Sequence, residues 1–111
     1  MDILFRTEKL RRQCSLERER VRAWGEQRAR LILRRLDGLL AADTLEVMRR
    51  VPGRCHELRA DREGQLSLDL DGPYRLIFEP ANEPVPRKED GGLDWSRVTA
   101  VRILGVEDTH G

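Results

Sequence analysis

The segment from Cys55 to Leu70, CHELRADREGQLSLDL, gathers His56, Arg59, Asp61 and Arg62 just ahead of an alternating leucine run. A histidine, with an ordinary pKa near ~6.5, can take or give a proton at neutral pH. Arginine supplies a fixed positive charge on a planar fork that suits phosphate oxygens. These are the parts of metal-free phosphodiester cleavage. It needs a base for the 2′-hydroxyl, cations for charge building on the phosphoryl oxygens, and an acid for the leaving 5′-oxygen. The only other histidine, His110, closes the chain in VEDTHG, two residues after Asp108.

Arg75, inside YRLIF, is a further candidate. An arginine in mid-strand is costly to bury, so it must meet solvent, a ligand or a carboxylate, and Asp69 and Glu79 are the structural alternatives. His56 has its own alternative, a strand histidine bonded to backbone. For His110 the alternative is a tail residue without a role. Only pairing of the last strand with the preceding hairpin would bring His110 back beside Arg59 or Arg75.

The elements that must position these residues follow from periodicity. DILFR reads as a first strand, and Thr7 is placed to cap a helix over TEKLRRQC. Ser15 is a second cap candidate. After it Leu16, Val21, Trp24, Ile32, Leu36, Leu39 and Leu40 fall near one helical stripe, and Gly25 marks a kink or boundary. Asp43 and Glu46 stand at capping-box spacing ahead of a short amphipathic turn that stops at Pro52 and Gly53.

From Arg54 the period becomes two. Leu66, Leu68 and Leu70 alternate with Gln65, Ser67 and Asp69, and Tyr74, Leu76 and Phe78 alternate with Arg75, Ile77 and Glu79 after the turn DGP, which predicts a β-hairpin. CHELRA and RVTAVRILGV add a strand on either side. The 78–97 stretch is too long for a tight turn, and loops above ~12–15 residues are commonly functional or mobile. Trp95 is placed to pin its far end.

With 111 residues the chain is one domain, 1–111, with one modest core. No run approaches the ~18 apolar residues of a membrane span, and the N-terminus lacks the pattern of an export signal, so a cytoplasmic location is expected. Cys14, Cys55, His56 and His110 lack the close ligand pairs of a zinc site, and no metal is expected. Residues 1–54 hold 14 Lys and Arg against 8 Asp and Glu, and residues 55–111 hold 7 against 12. A basic first half suits nucleic acid or an acidic protein partner, and equally a solvated helix surface.

The helix exit AADTLEVMRRVPG, then CHELRADREGQLSLDLDGPYRLIFEP and LDWSRVTAVRILGVEDTH, resemble the RelE/ParE superfamily, specifically HigB-like toxins of plasmid maintenance systems. The similarity covers essentially the whole chain. It implies an α+β fold with an N-terminal strand and two or three helices packed on a twisted antiparallel sheet of about four or five strands. It also implies a cofactor-free endoribonuclease that cuts messenger RNA on the ribosome and stops growth. Its partner would be a helix-turn-helix antitoxin, with operator DNA bound through the complex.

By this resemblance His56, Arg59, Arg75, Asp108 and His110 form the catalytic group, and Arg59, Arg62 and Arg75 hold RNA. The sequence departs from the family pattern at Thr109, where a tyrosine is common, and at Arg59, where lysine is usual. Threonine can neither stack on a base nor titrate near neutral pH. Two other functions fit the same resemblance: a catalytically degenerate module that binds an antitoxin without cleaving RNA, and a gyrase-directed toxin of the ParE type.

Overall fold

A computed structural model describes residues 1–109. The order is β1 (Asp2–Phe5), α1 (Glu8–Ser15), α2 (Glu17–Trp24), α3 (Glu26–Ala41), β2 (His56–Glu57), β3 (Leu66–Asp69), β4 (Tyr74–Pro80) and β5 (Ala100–Asp108). Short 3-10 turns lie at Leu45–Arg50, Ala60–Arg62 and Trp95–Arg97. This is an α+β arrangement, and no helix is long and apolar enough to cross a membrane among the described residues.

Thr7 caps α1 as its position suggests, its hydroxyl accepting from the Leu10 N–H at 3.1 Å. Ser15 does not cap α2. It is the last residue of α1, and extended Leu16 forms the joint without a side-chain cap. Gly25 is the second boundary, with a φ of 81°. That angle lets the chain leave α2 and start α3 where an L side chain would be strained. The Asp43–Glu46 capping box is also absent: Thr44 takes the cap position, and Glu46 bonds Arg49 at 3.0 Å instead.

The sheet order is β1-β5-β4-β3-β2. The expected all-antiparallel sheet is corrected here, because β1 runs parallel to β5, with Asp2 opposite Ala100 and Phe5 opposite Ile103. The other pairs are antiparallel. The strand expected over CHELRA shrinks to two residues, because Ala60, with φ of 58°, turns the chain into a 3-10 segment.

Alternation then divides the sheet's two faces. Leu66 and Leu68 of β3, Leu76 and Phe78 of β4, and Val101 and Ile103 of β5 share one core with Ile32, Leu36 and Leu39 of α3. Burying each such side chain contributes about 1.5–3 kcal/mol relative to exposure. Leu16 and Leu40, assigned to the same stripe from sequence, are exposed. The helix-free face carries Ser67 and Asp69, then Arg75, Ile77 and Glu79, then Arg102, Gly105 and Glu107.

Residues 81–99 are stitched rather than loose. Asn82 Oδ1 accepts from the Thr99 and Ala100 N–H groups at 2.9 and 3.1 Å, closing the base of the segment. Trp95 is 4% exposed and donates from Nε1 to Glu57 at 2.9 Å, with the Arg49 guanidinium 3.8 Å above its ring. It pins the segment's far end as expected.

Candidate active site

Strand register brings Asp69, Arg75 and Glu107 side by side across β3, β4 and β5. Arg75 is 20% exposed, and its Nε lies 2.9 Å from Asp69 Oδ1. Its Nη1 donates to the Gly72 and Tyr74 carbonyls at 2.8 and 2.9 Å, so the guanidinium is fixed on the hairpin turn. Of the two carboxylates considered from sequence, Asp69 is its partner. Glu79 instead pairs with Arg102 at 2.8 Å.

Asp69 also receives Arg54, through Nε at 2.9 Å and Nη2 at 3.2 Å. Its backbone carbonyl accepts from Arg35 Nε at 2.8 Å. One aspartate thus gathers three arginines, from α3, from the segment before β2 and from β4. Hydrogen bonding to Asp69 raises the Arg54 guanidinium above its ordinary pKa. Sequence reasoning missed Arg54, and its clue was a strained backbone with a φ of 50°. Positive φ is uncommon for a side-chain-bearing residue, and such strain clusters at functional sites.

Arg62 is held as firmly. Nη1 and Nη2 reach the two oxygens of Glu107 at 3.0 and 2.9 Å, and Nε donates to Gln65 at 2.8 Å. The Glu107 hydrogen bonds raise the Arg62 pKa further. Because Arg62 comes from the β2–β3 connection and Glu107 from β5, the pair spans the intervening strands. Ser67 and Ile77 on this face are 1% and 0% exposed, so its centre is covered rather than open. Glu107 is the other residue missed from sequence; only the β4–β5 register puts it opposite Arg75.

His56 sits one strand out from Ser67 in register. Its Nδ1 lies 2.8 Å from the Arg54 carbonyl, and Ser67 Oγ is 3.4 Å from its Nε2. A carbonyl cannot donate, so Nδ1 carries a proton, and in the neutral ring Nε2 is then the acceptor that faces Ser67. Arg59 stands at the start of the 3-10 turn, exposed, and has no ion pair among the described residues.

Asp108 ends β5 opposite Tyr74. Thr109 is tied to the hairpin turn, both its N–H and its hydroxyl donating to the Pro73 carbonyl at 2.9 Å. His110 lies outside the described residues.

The site therefore joins His56, Arg54, Arg62 and Arg75 on one face, with Asp69 and Glu107 between the guanidiniums. Arg59 is at its rim and Asp108 at the sheet's end. Arginine forks held by carboxylates are built for bidentate oxyanion contacts, and a phosphate can replace a carboxylate oxygen for oxygen. A cavity of about 620 Å³ lies under residues 80–93, with Glu57, Glu63, Glu79 and Glu83 in its wall together with Arg87 and Arg102. No group of three or more His, Cys, Asp and Glu could hold a metal ion among the described residues.

Both cysteines are deprived of thiolate character. Burial pushes Cys14 up to about 11 and Cys55 up to about 12. Neither is a nucleophile near neutral pH. No protein-family model matches the chain, and no curated protein matches it with significance.

Proposed function

We propose that this chain is the toxin of a type II toxin-antitoxin pair: a RelE/ParE-like, HigB-like endoribonuclease of the cytoplasm that cuts messenger RNA on the ribosome. What supports the reading is that Arg54 and Arg75 share Asp69 and Arg62 holds Glu107 on the sheet face to which His56 belongs by its register with Ser67. In cleavage, His56 keeps its Nδ1 proton on the Arg54 carbonyl, and Nε2 exchanges its 3.4 Å contact with Ser67 Oγ for the 2′-hydroxyl, whose proton it takes. That oxygen attacks the adjacent phosphorus. Arg75 and Arg62 exchange a carboxylate oxygen for a phosphoryl oxygen and balance the growing charge. Arg59, at the rim, meets a neighbouring phosphate. His110 gives its proton to the leaving 5′-oxygen, with Asp108 close in sequence to steady the imidazolium. A helix-turn-helix antitoxin is the expected partner, and the complex binds operator DNA.

One observation favours a second reading. Each of Arg54, Arg62 and Arg75 already has a carboxylate, and the Thr109 hydroxyl is bonded to Pro73. A non-cleaving module that binds the antitoxin alone is compatible with that saturation.

Inducing the protein with and without a neighbouring helix-turn-helix protein, and mapping messenger 5′ ends by primer extension, separates the two. New ends inside translated frames, suppressed by the partner and lost in Arg75→Ala and His110→Ala, support the nuclease. Normal growth and intact transcripts from verified folded protein support the non-cleaving module.

A further inference from the structure

β1 and β5 differ in length, and the difference leaves an edge. β1 ends at Phe5 opposite Ile103, while β5 continues to Asp108. The last backbone bond on that side runs from the Arg6 N–H to the Ile103 carbonyl at 3.0 Å. Beyond it, among the described residues, Leu104 to Glu107 make no hydrogen bond to any backbone other than β4. The sheet's inner strand therefore becomes an edge strand halfway along its length.

The space beside that edge is a cleft of about 300 Å³ between α1 and β5, lined by Arg6, Thr7, Lys9, Leu10 and Gln13 on one wall and Leu104, Gly105 and Val106 on the other. Gly105 brings no side chain to this wall of the cleft. Arg6 and Lys9 are exposed, and neither has an ion pair among the described residues. The lining contains no carboxylate. Open backbone donors and acceptors with cations along one wall fit an extended acidic chain, which adds as a strand and sets its carboxylates against the two cations.

We infer that an extended acidic segment of a partner protein docks here, pairing with Leu104–Glu107 and continuing the sheet where β1 stops. At about 3.4 Å per residue the free edge takes some four or five residues. The same strand carries Glu107, the partner of Arg62, so docking would stiffen the end of β5 that supports the candidate site. The inference does not depend on the nuclease reading, because its readout is binding.

The test uses the intact protein labelled with 15N and an eight-residue peptide of alternating Glu and Val with blocked ends. Expected are amide shift changes and slowed hydrogen exchange at Leu104–Glu107, with affinity at least tenfold weaker in the Arg6→Glu, Lys9→Glu double variant. Methylating alternate peptide nitrogens should abolish binding, because pairing is lost while charge is kept. Perturbations elsewhere, unchanged affinity for the methylated peptide, or no binding at millimolar peptide would overturn the inference. So would displacement of the peptide from these residues by an eight-nucleotide oligoadenylate, which would make the cleft a nucleic-acid groove.

Discussion

Arg62 and Glu107, 45 residues apart in sequence, meet fork to fork through hydrogen bonds of 3.0 and 2.9 Å. The pair joins the turn after β2 to the strand at the other side of the hairpin. It also sets a threshold for anion binding, because a phosphate must displace a carboxylate from Arg62.

Glu107→Gln should lower that threshold. Arg62 keeps a neutral acceptor but loses its counter-charge. Binding of a fluorescent single-stranded oligonucleotide should tighten several-fold, and its salt dependence should steepen by about 0.7 in log-log slope, one extra phosphate contact. An unchanged slope would place RNA away from Arg62.

Asp69→Asn removes the charge that gathers Arg54 and Arg75. The Asp69 and Arg75 side chains are 28% and 20% exposed, so solvent screens their pairing only in part. The loss should be about 1–2 kcal/mol of folding stability, between the values typical of exposed and of buried pairs. Urea unfolding measures it. A variant as stable as the parent would show that the turn carbonyls hold Arg75 unaided.

Acid should loosen the join between α3 and the hairpin turn. Arg28 binds Asp71 through Nε and Nη2 at 2.9 and 3.0 Å and lies 3.4 Å from the Tyr74 ring centre. The Arg28 hydrogen bond holds Asp71 below its ordinary 3.8. A lowered folded-state value means stability that is present above that ordinary value and lost as the pH falls through the folded one. The parent should lose more stability than Asp71→Asn between pH 5 and about 2. Parallel pH curves for the two proteins would contradict this.

Gly53→Ala should destabilise by about 1–3 kcal/mol. Gly53 has a φ of 123°, and an added Cβ would come within 3.0 Å of both Arg35 Nε and Leu68 Cδ2. Arg35 is the residue bonded to the Asp69 carbonyl, so the strain would reach the candidate site. Urea unfolding again reads the loss.

At pH 8 the native protein should be inert to a disulfide reagent. Thiols at about 11 and about 12 are less than about one part in a hundred ionised there, and the thiolate is the reacting form. Denaturation should release both cysteines to rapid titration. Fast labelling of the native state would mean that the core opens locally around one of them.

The hairpin was legible because its signal is local: Leu66 and Leu68, then Leu76 and Phe78, repeat every second residue and lie on the core side. The joint at Gly25 and the Thr7 cap were equally local. What could not be read was set by distant partners. A two-residue β2 has no period to detect, and the parallel pairing of β1 needs a strand nearly a hundred residues away. The same holds for the site. Arg62, Arg75 and His56 stood out by type, whereas Glu107 and Arg54 acquire meaning only from register and from a backbone bend.

The register of β1 also constrains when the molecule can finish folding. Among the described residues its sheet neighbour is β5 alone, which lies between β1 and β4. During synthesis the helices and the hairpin can form early, yet the first strand waits unpaired until residues 100–103 have left the ribosome. Closure is therefore a late, single event, and a chain truncated before β5 would keep the hairpin but lose Glu107, the partner of Arg62, and the strand that holds β1.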